Sequence, residues 1–288
     1  MPSSNHVSTG SESNSGPDPD LRTESFAQFF ETWLLEQEHD LEELKAAATC
    51  YTESTQSDTE WNQQLTSLVN RVMCHYENYY RVKSESADHD VLTMLSPSWR
   101  SNLEEAFLWV GGWRPSTAFH LLYSVTGLQL EAGFHELLRG LGSGNLADLS
   151  PDQLVRVDEL QRQTVWEERE LTENFAAIQE TVADSTMVEL SHVATELIRD
   201  PNSVTTGPVG PESVNERVES TIGTKENKLK EILGRADDLR LRTLKNVLDI
   251  LTPIQAVDFL IAAAELHLRV HQWGVKKDEG ANNQQQQQ

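Results

Sequence analysis

The chain has 288 residues, 46 acids against 23 lysines and arginines, and a net charge of −23 with a pI near 4.7. Such a balance argues against unaided binding to DNA, RNA or an anionic membrane, because affinity for phosphate comes from Lys and Arg. Two cysteines, Cys50 and Cys74, form no CxxC pattern, so neither a zinc ribbon nor a disulfide framework is indicated and a reduced compartment, nucleus or cytoplasm, is expected.

Residues 1–22 are Ser-rich and polar and read as a disordered tail, with no apolar stretch of the secretory kind. Phe26, Phe29, Phe30, Trp33, Leu34, Leu41 and Leu44 recur at helical spacing, with Thr23 or Ser25 as the cap. A second amphipathic helix carries Trp61, Leu65, Leu68, Val69, Val72, Tyr76 and Tyr79. Ser96-Pro97-Ser98 predicts a third helix, Trp99 to about Val110, ending at a double glycine.

That glycine pair sits in Trp109-Val110-Gly111-Gly112-Trp113-Arg114-Pro115-Ser116. The spacing predicts a helix–turn–helix corner with Gly111 and Gly112 at positive φ. Pro115 then lies in the first turn of a fourth helix, which Gly127 closes. Both tryptophans should pack into the core, and Arg114 suits a buried carboxylate or carbonyl at the corner, or a surface role.

Gly142, Gly144 and Asn145 mark a loop. Ser150 and Pro151 then open a long fifth helix as N-cap and first residue. Residues 200–223 hold three prolines and three glycines and read as a mobile loop. Another helix follows from Thr224 to about Ile250, and Thr252-Pro253 opens the last, ending near Trp273-Gly274. Residues 276–288 end in a glutamine run and read as a disordered tail. The expected class is all-α, an antiparallel bundle of about seven or eight helices forming one domain over 23–275.

No phosphate loop, nucleophile elbow, zinc-protease helix or calcium loop is present, and the carboxylates fall on solvent faces. The chain is therefore not expected to be an enzyme. Lys225 to Lys245 is the one locally basic stretch. Asp237 and Asp238 interrupt it, which suits ion pairs facing solvent or a partner better than a DNA contact. His267 and His271, at i and i+4 on the last helix, project from one face. That spacing can chelate zinc or copper, or set one imidazole against a haem iron. The competing reading is structural, since histidines near a helix C-terminus favour the macrodipole.

Several segments together resemble the delay-of-germination domain of plants, which also forms the C-terminal region of TGA-type bZIP transcription factors. They are Trp109–Ser116, Leu149–Leu154, Asp238–Leu244, Leu251–Leu260 and His267–Gly274, and their order covers about residues 24–275. The resemblance implies a regulator of transcription and seed dormancy that works through protein partners, such as TGA-type factors or protein phosphatases, or as a homodimer. It also implies haem as a candidate cofactor at the positions matching His267 and His271, and room for an apolar ligand such as a fatty acyl chain. In contrast to TGA factors, the residues before Phe26 carry Arg22 as their only Lys or Arg and no leucine heptads, so the direct sequence-specific DNA binding of the wider family is not expected without a partner.

Overall fold

The computed structural model describes residues 19–53, 58–137, 149–199 and 211–285. They are mostly helical: α1 (Pro19–Glu53), α2 (Asp58–Ala87), α3 (Val91–Leu95), α4 (Asn102–Glu105), α5 (Thr117–Leu137), α6 (Pro151–Glu180), α7 (Ser185–Arg199), α8 (Pro211–Ile250) and α9 (Pro253–Gln285). Seven of these are long and two are single turns, so the all-α expectation holds among the described residues. α1, α2 and α9 pack on one another, α8 packs on α2, α6 and α7, and α5 lies against α9.

The helix starts follow local chemistry. Ser150 accepts from the Gln153 amide while Gln153 reaches back to the Ser150 N–H, a reciprocal box with Pro151 at the first position. Thr252 and Gln255 repeat the arrangement ahead of α9. The main core gathers Leu44 from α1, Leu65 and Val72 from α2, Phe119 and Leu122 from α5, Val157 from α6, Val247 from α8 and Val257 and Leu260 from α9, all at 3% exposure or less.

The chain departs from its sequence reading at several ends. α1 begins at Pro19, inside the expected tail, so Thr23 and Ser25 lie within the helix; a proline is costless in a first turn. Residues 1–18 lie outside the described residues. α5 runs through Gly127, because one unhindered helical glycine costs only about 1 kcal/mol against alanine. The expected loop at Gly142–Asn145 falls outside the described residues. α7 was not legible as a separate helix; the Asp184 carboxylate accepts from the Met187 amide and starts it.

Of the expected loop 200–223, residues 211–223 are helix, opened by Pro211 and anchored by the buried Val214. Residues 200–210 are not described. α9 likewise continues past Gly274 through residues 276–285, and Asp278 accepts from the Asn102 amide at 2.9 Å, while 286–288 lie outside the described residues. Gly274 is not a stop: a side chain there would collide with Ser101, where α9 crosses α4.

The largest correction concerns the corner. The expected helix over 99–110 is only α4, set by a capping box between Ser101 and Glu104. After it the chain forms a two-residue hairpin. Trp109 and Gly112 exchange both backbone bonds, at 2.7 and 3.3 Å. Val110 (φ 46°) and Gly111 (φ 66°) are its central residues. Positive φ at both central positions is the type I′ signature. The positive φ thus falls one residue earlier than expected, on a valine and a glycine.

Candidate ligand pocket beneath the hairpin

Three carbonyls of the hairpin segment point at one side chain. Arg240 of α8, 6% exposed, donates from Nε to the Trp113 carbonyl (2.6 Å) and from Nη2 to the carbonyls of Trp109 and Val110 (2.9 Å to the latter). Its Nη1 pairs with Asp237 one turn earlier. Lys83 of α2, also buried, donates to the Gly111 carbonyl (2.8 Å) and to the same Asp237 oxygen (3.0 Å). These carbonyls cannot serve a helix while the two cations hold them, which is why the segment turns instead.

The close fit explains both glycines. A Cβ on Gly112 would stand 2.8 Å from the Arg240 guanidinium carbon, and one on Gly111 would stand 2.7 Å from the Met94 carbonyl oxygen. Arg114 meets a buried carboxylate as one of its two readings had it: Nε donates to Glu168 at 3.0 Å, and the other Glu168 oxygen accepts from the Ser116 amide. Trp109 donates to Thr172 at 2.9 Å and lies beneath the guanidiniums of both Arg114 and Arg240. Pro115, buried, precedes the first turn of α5.

Under the hairpin lies a cavity of about 260 Å³. Trp33 and Gln37 of α1, Tyr76, Tyr79, Tyr80 and Lys83 of α2, and Leu121 of α5 line it. Arg240 and Leu244 of α8, Phe259, Ala263 and His267 of α9, and Arg100, Gly112, Trp113 and Arg114 line it too. Burial pushes the Lys83 ammonium down to about 8, with Arg240 and Arg100 adding to the shift and Asp237 opposing it. Burial also raises the Tyr76 hydroxyl to about 12 and holds the Tyr80 hydroxyl far above its usual range.

The two candidate histidines part company. His267 faces this cavity; its Nδ1 is 2.7 Å from the Gln37 side-chain oxygen, and its ring meets Trp33 and Trp113 edge-on. Burial, then the Arg100 charge, depresses it to about 3, so it is neutral at physiological pH. His271 lies one turn on, against Phe30, with Nδ1 2.9 Å from the fully buried Glu104 carboxylate. Burial alone would raise Glu104, but the bonds from His271 and Ser101 outweigh it and hold the carboxyl at about 2. The Nδ1 atoms of the pair thus take different partners, and among the described residues no three His, Cys, Asp or Glu side chains are grouped to hold a metal.

The chain's relatives fit this picture. A family model for seed dormancy control, DOG1, matches residues 40–124. Protein DOG1-like 4 of Arabidopsis thaliana is 30% identical over 257 residues, covering 89% of this chain and 95% of that protein. The chain belongs to the DOG1 family. Protein DOG1-like 3 of the same plant is 28% identical over 86% of this chain and 83% of its own length. The Arabidopsis transcription factor TGA6 is 27% identical over 83% of this chain but only 60% of its own length. The DOG1 match runs from mid-α1 into α5, and so contains the hairpin, Lys83 and Arg100; Arg240 and His267 reach the cavity from beyond it.

Sequence reasoning missed Lys83, Arg100 and Arg240. Two of them left a trace. Lys83 continues the apolar stripe Val72, Tyr76, Tyr79, and Arg240 sits between Ala236 and Thr243 on the buried face of α8. A cation on a buried stripe must find partners inside.

Proposed function

We propose that this protein is a non-enzymatic regulator of plant transcription-linked signalling, of the seed-dormancy and maturation type, acting through protein partners in the nucleus or cytoplasm. The observation that carries the reading is near full-length similarity to DOG1-like proteins together with partial similarity to a TGA transcription factor. The electrostatics support partner binding over direct DNA binding. Of the eight basic side chains of α8, Lys225, Lys230, Arg235, Arg242 and Lys245 pair with Asp184, Asp88, Glu170, Glu167 and Glu77, Arg217 with Glu189 and Arg240 with Asp237. Few of them are left for phosphates on a chain of charge −23. Exposed Val155 and Trp166 on α6 offer the apolar anchors that protein interfaces favour. Affinity capture from maturing seed, probed for TGA-type factors, protein phosphatases and a second copy of the chain, should recover at least one of them. Tight binding of the isolated protein to a specific DNA site at physiological salt would overturn the reading.

A second reading, haem sensing by the closing helix, is favoured by His267. With Nδ1 donating to Gln37, its Nε2 is the nitrogen left for an iron. Arg100, Lys83 and Arg114 could meet acidic substituents. Bound there, haem would supply a redox- or gas-responsive iron. The imidazole suits the group, but a 260 Å³ cavity must widen to admit the macrocycle. Haem titration should give a Soret band that His267→Ala abolishes and His271→Ala retains; a band unchanged in both removes these residues from the site.

A further inference from the structure

The cavity beneath the hairpin is electrostatically unlike the rest of the molecule. Its lining carries Lys83, Arg100, Arg114 and Arg240 and no Asp or Glu, in a chain where acids outnumber bases two to one. The carboxylates behind the wall do not balance them. Lys83 and Arg240 share the one Asp237, and Glu168 serves Arg114. Arg100 has no carboxylate partner among the described residues. One of its terminal nitrogens donates to the Tyr79 hydroxyl at 3.2 Å, and the other, Nη1, is buried with no partner. The Trp113 indole N–H, in the same lining, is also buried and unpartnered. A buried donor without an acceptor costs about 1–3 kcal/mol, more when charged. Both donors belong to lining residues but are sealed from the open space of the cavity, and the Arg100 guanidinium also lies 5.4 Å over the Phe30 ring. The cavity itself presents an aromatic wall with an excess of positive charge and no carboxylate.

We propose that this cavity binds a compact ring-bearing organic acid, with its carboxylate taken by the cationic wall of Lys83, Arg100, Arg114 and Arg240 and its ring held among Trp33, Tyr79 and Leu121. The aromatic and aliphatic wall supplies burial, and the cations supply selection for charge. A volume of 260 Å³ lies below the range of about 300–1,000 Å³ typical of drug-sized ligands. It suits one or two fused rings rather than a long acyl chain. Burial is the main depressor of the Lys83 ammonium, and the Arg240 and Arg100 charges add to it against Asp237. This inference stands apart from the partner reading and from haem, because it needs neither a second protein nor an iron.

Calorimetric titration of the purified full chain with 2-naphthoate, the neutral 2-naphthamide and decanoate tests it. Naphthoate should bind one to one, with naphthamide weaker by about tenfold or more, as for loss of a charged hydrogen bond, and decanoate weaker than naphthoate. Arg100→Gln should weaken naphthoate similarly, while Arg242→Gln, an exposed residue paired with Glu167 outside the cavity, should not. Ala263→Trp, which fills the cavity and keeps Arg100, should abolish binding. No naphthoate binding, equal affinity for acid and amide, decanoate binding as tightly, or binding that survives Ala263→Trp would each overturn the proposal. The three-ligand comparison on the unmodified chain decides it even if a variant fails to fold.

Discussion

Around Phe119, Leu122, Val157 and Val257 the helices meet through side chains that are fully buried and wholly apolar. Two turns earlier on α8, around Arg240, the same helix meets the hairpin through a buried guanidinium, a buried ammonium and one carboxylate between them. Both regions are buried, although the second borders the cavity, and they differ in how many sequences could build them. Dispersion and burial are non-directional, so the aliphatic region asks only for volume and apolarity. The hairpin clasp asks for donors at fixed angles to particular carbonyls, and only one side chain presents a planar fork of that kind.

The sharpest way to break the comparison is a conservative exchange in each region. Arg240→Ala should cost about 3–5 kcal/mol in urea unfolding, since it takes the buried donor from three carbonyls and leaves Asp237 with Lys83 as its one cation. Leu122→Ala should cost about 2–5 kcal/mol through the cavity it leaves. The truncations look alike; the conservative variants should not. Leu122→Met should stay within about 1.5 kcal/mol of the parent, whereas Arg240→Lys keeps the charge, loses the fork and should recover only a minor part of the loss. An Arg240→Lys protein as stable as the parent would show that charge alone holds the corner.

Acid should separate the regions next. The folded-state value of His267, about 3, lies below the ordinary 6.5, so the unfolded chain takes the proton first. Its contribution is complete above pH 6.5 and is lost as the pH falls toward 3. Glu104 is depressed from 4.5 to about 2, so its contribution is complete above pH 4.5 and is lost from there down to 2. Stability should therefore fall by roughly 2–3 kcal/mol between pH 6.5 and 4 through His267, then further through Glu104. His267→Gln should flatten the first stage. Leu122→Ala should shift the whole profile down without changing its shape, because the aliphatic region has nothing to titrate. A parent profile flat from pH 7 to 4 would mean that His267 is not held neutral by burial.

The same contrast explains what the sequence revealed. Apolar periodicity located the long helices other than α7, and Ser150-Pro151 and Thr252-Pro253 marked two starts to the residue, because helix faces and caps are local properties. The clasp is not local: Arg240 and Lys83 lie 130 and 28 residues from the carbonyls they hold at Val110 and Gly111. Read alone, Arg240 belonged to a basic stretch and Asp237 to its interruption. In the fold, Asp237 is the carboxylate that lets two cations be buried together. His267 and His271 share a helix face in sequence, yet one ring meets Trp33 and the other Phe30, and their Nδ1 atoms take different partners, Gln37 and Glu104, which tertiary packing decides. Arg114 was legible because its corner was, and Glu168 answers it from α6.

Glycines sharpen the comparison on a smaller scale. Gly112→Ala would press a methyl against the Arg240 guanidinium and should cost about 1–3 kcal/mol, as overpacking does. Gly234, mid-way along the same α8, has nothing within 4 Å of a built Cβ. Gly234→Ala should therefore stabilise by about 0.4–1 kcal/mol, chiefly by restricting the unfolded chain. Opposite signs from one substitution type would locate the constraint in the clasp rather than in glycine itself.

Val110 gives the subtlest test, because two terms oppose each other within one residue. A β-branched side chain at φ 46° is strained by about 1–3 kcal/mol, and asparagine followed by glycine is the pair that a type I′ turn prefers. Yet Val110 is 6% exposed and packs with Leu171, Ile232, Ala236 and Leu239, burial that contributes about 1.5–3 kcal/mol. Val110→Asn relieves the strain and forfeits the burial, so its stability should lie within about 1 kcal/mol of the parent. Val110→Ala keeps most of the strain and forfeits much of the burial, so it should be the less stable of the two. If the alanine variant proves the more stable, the hairpin's φ preference is weaker than its packing, and the clasp rather than the turn decides the path of the chain.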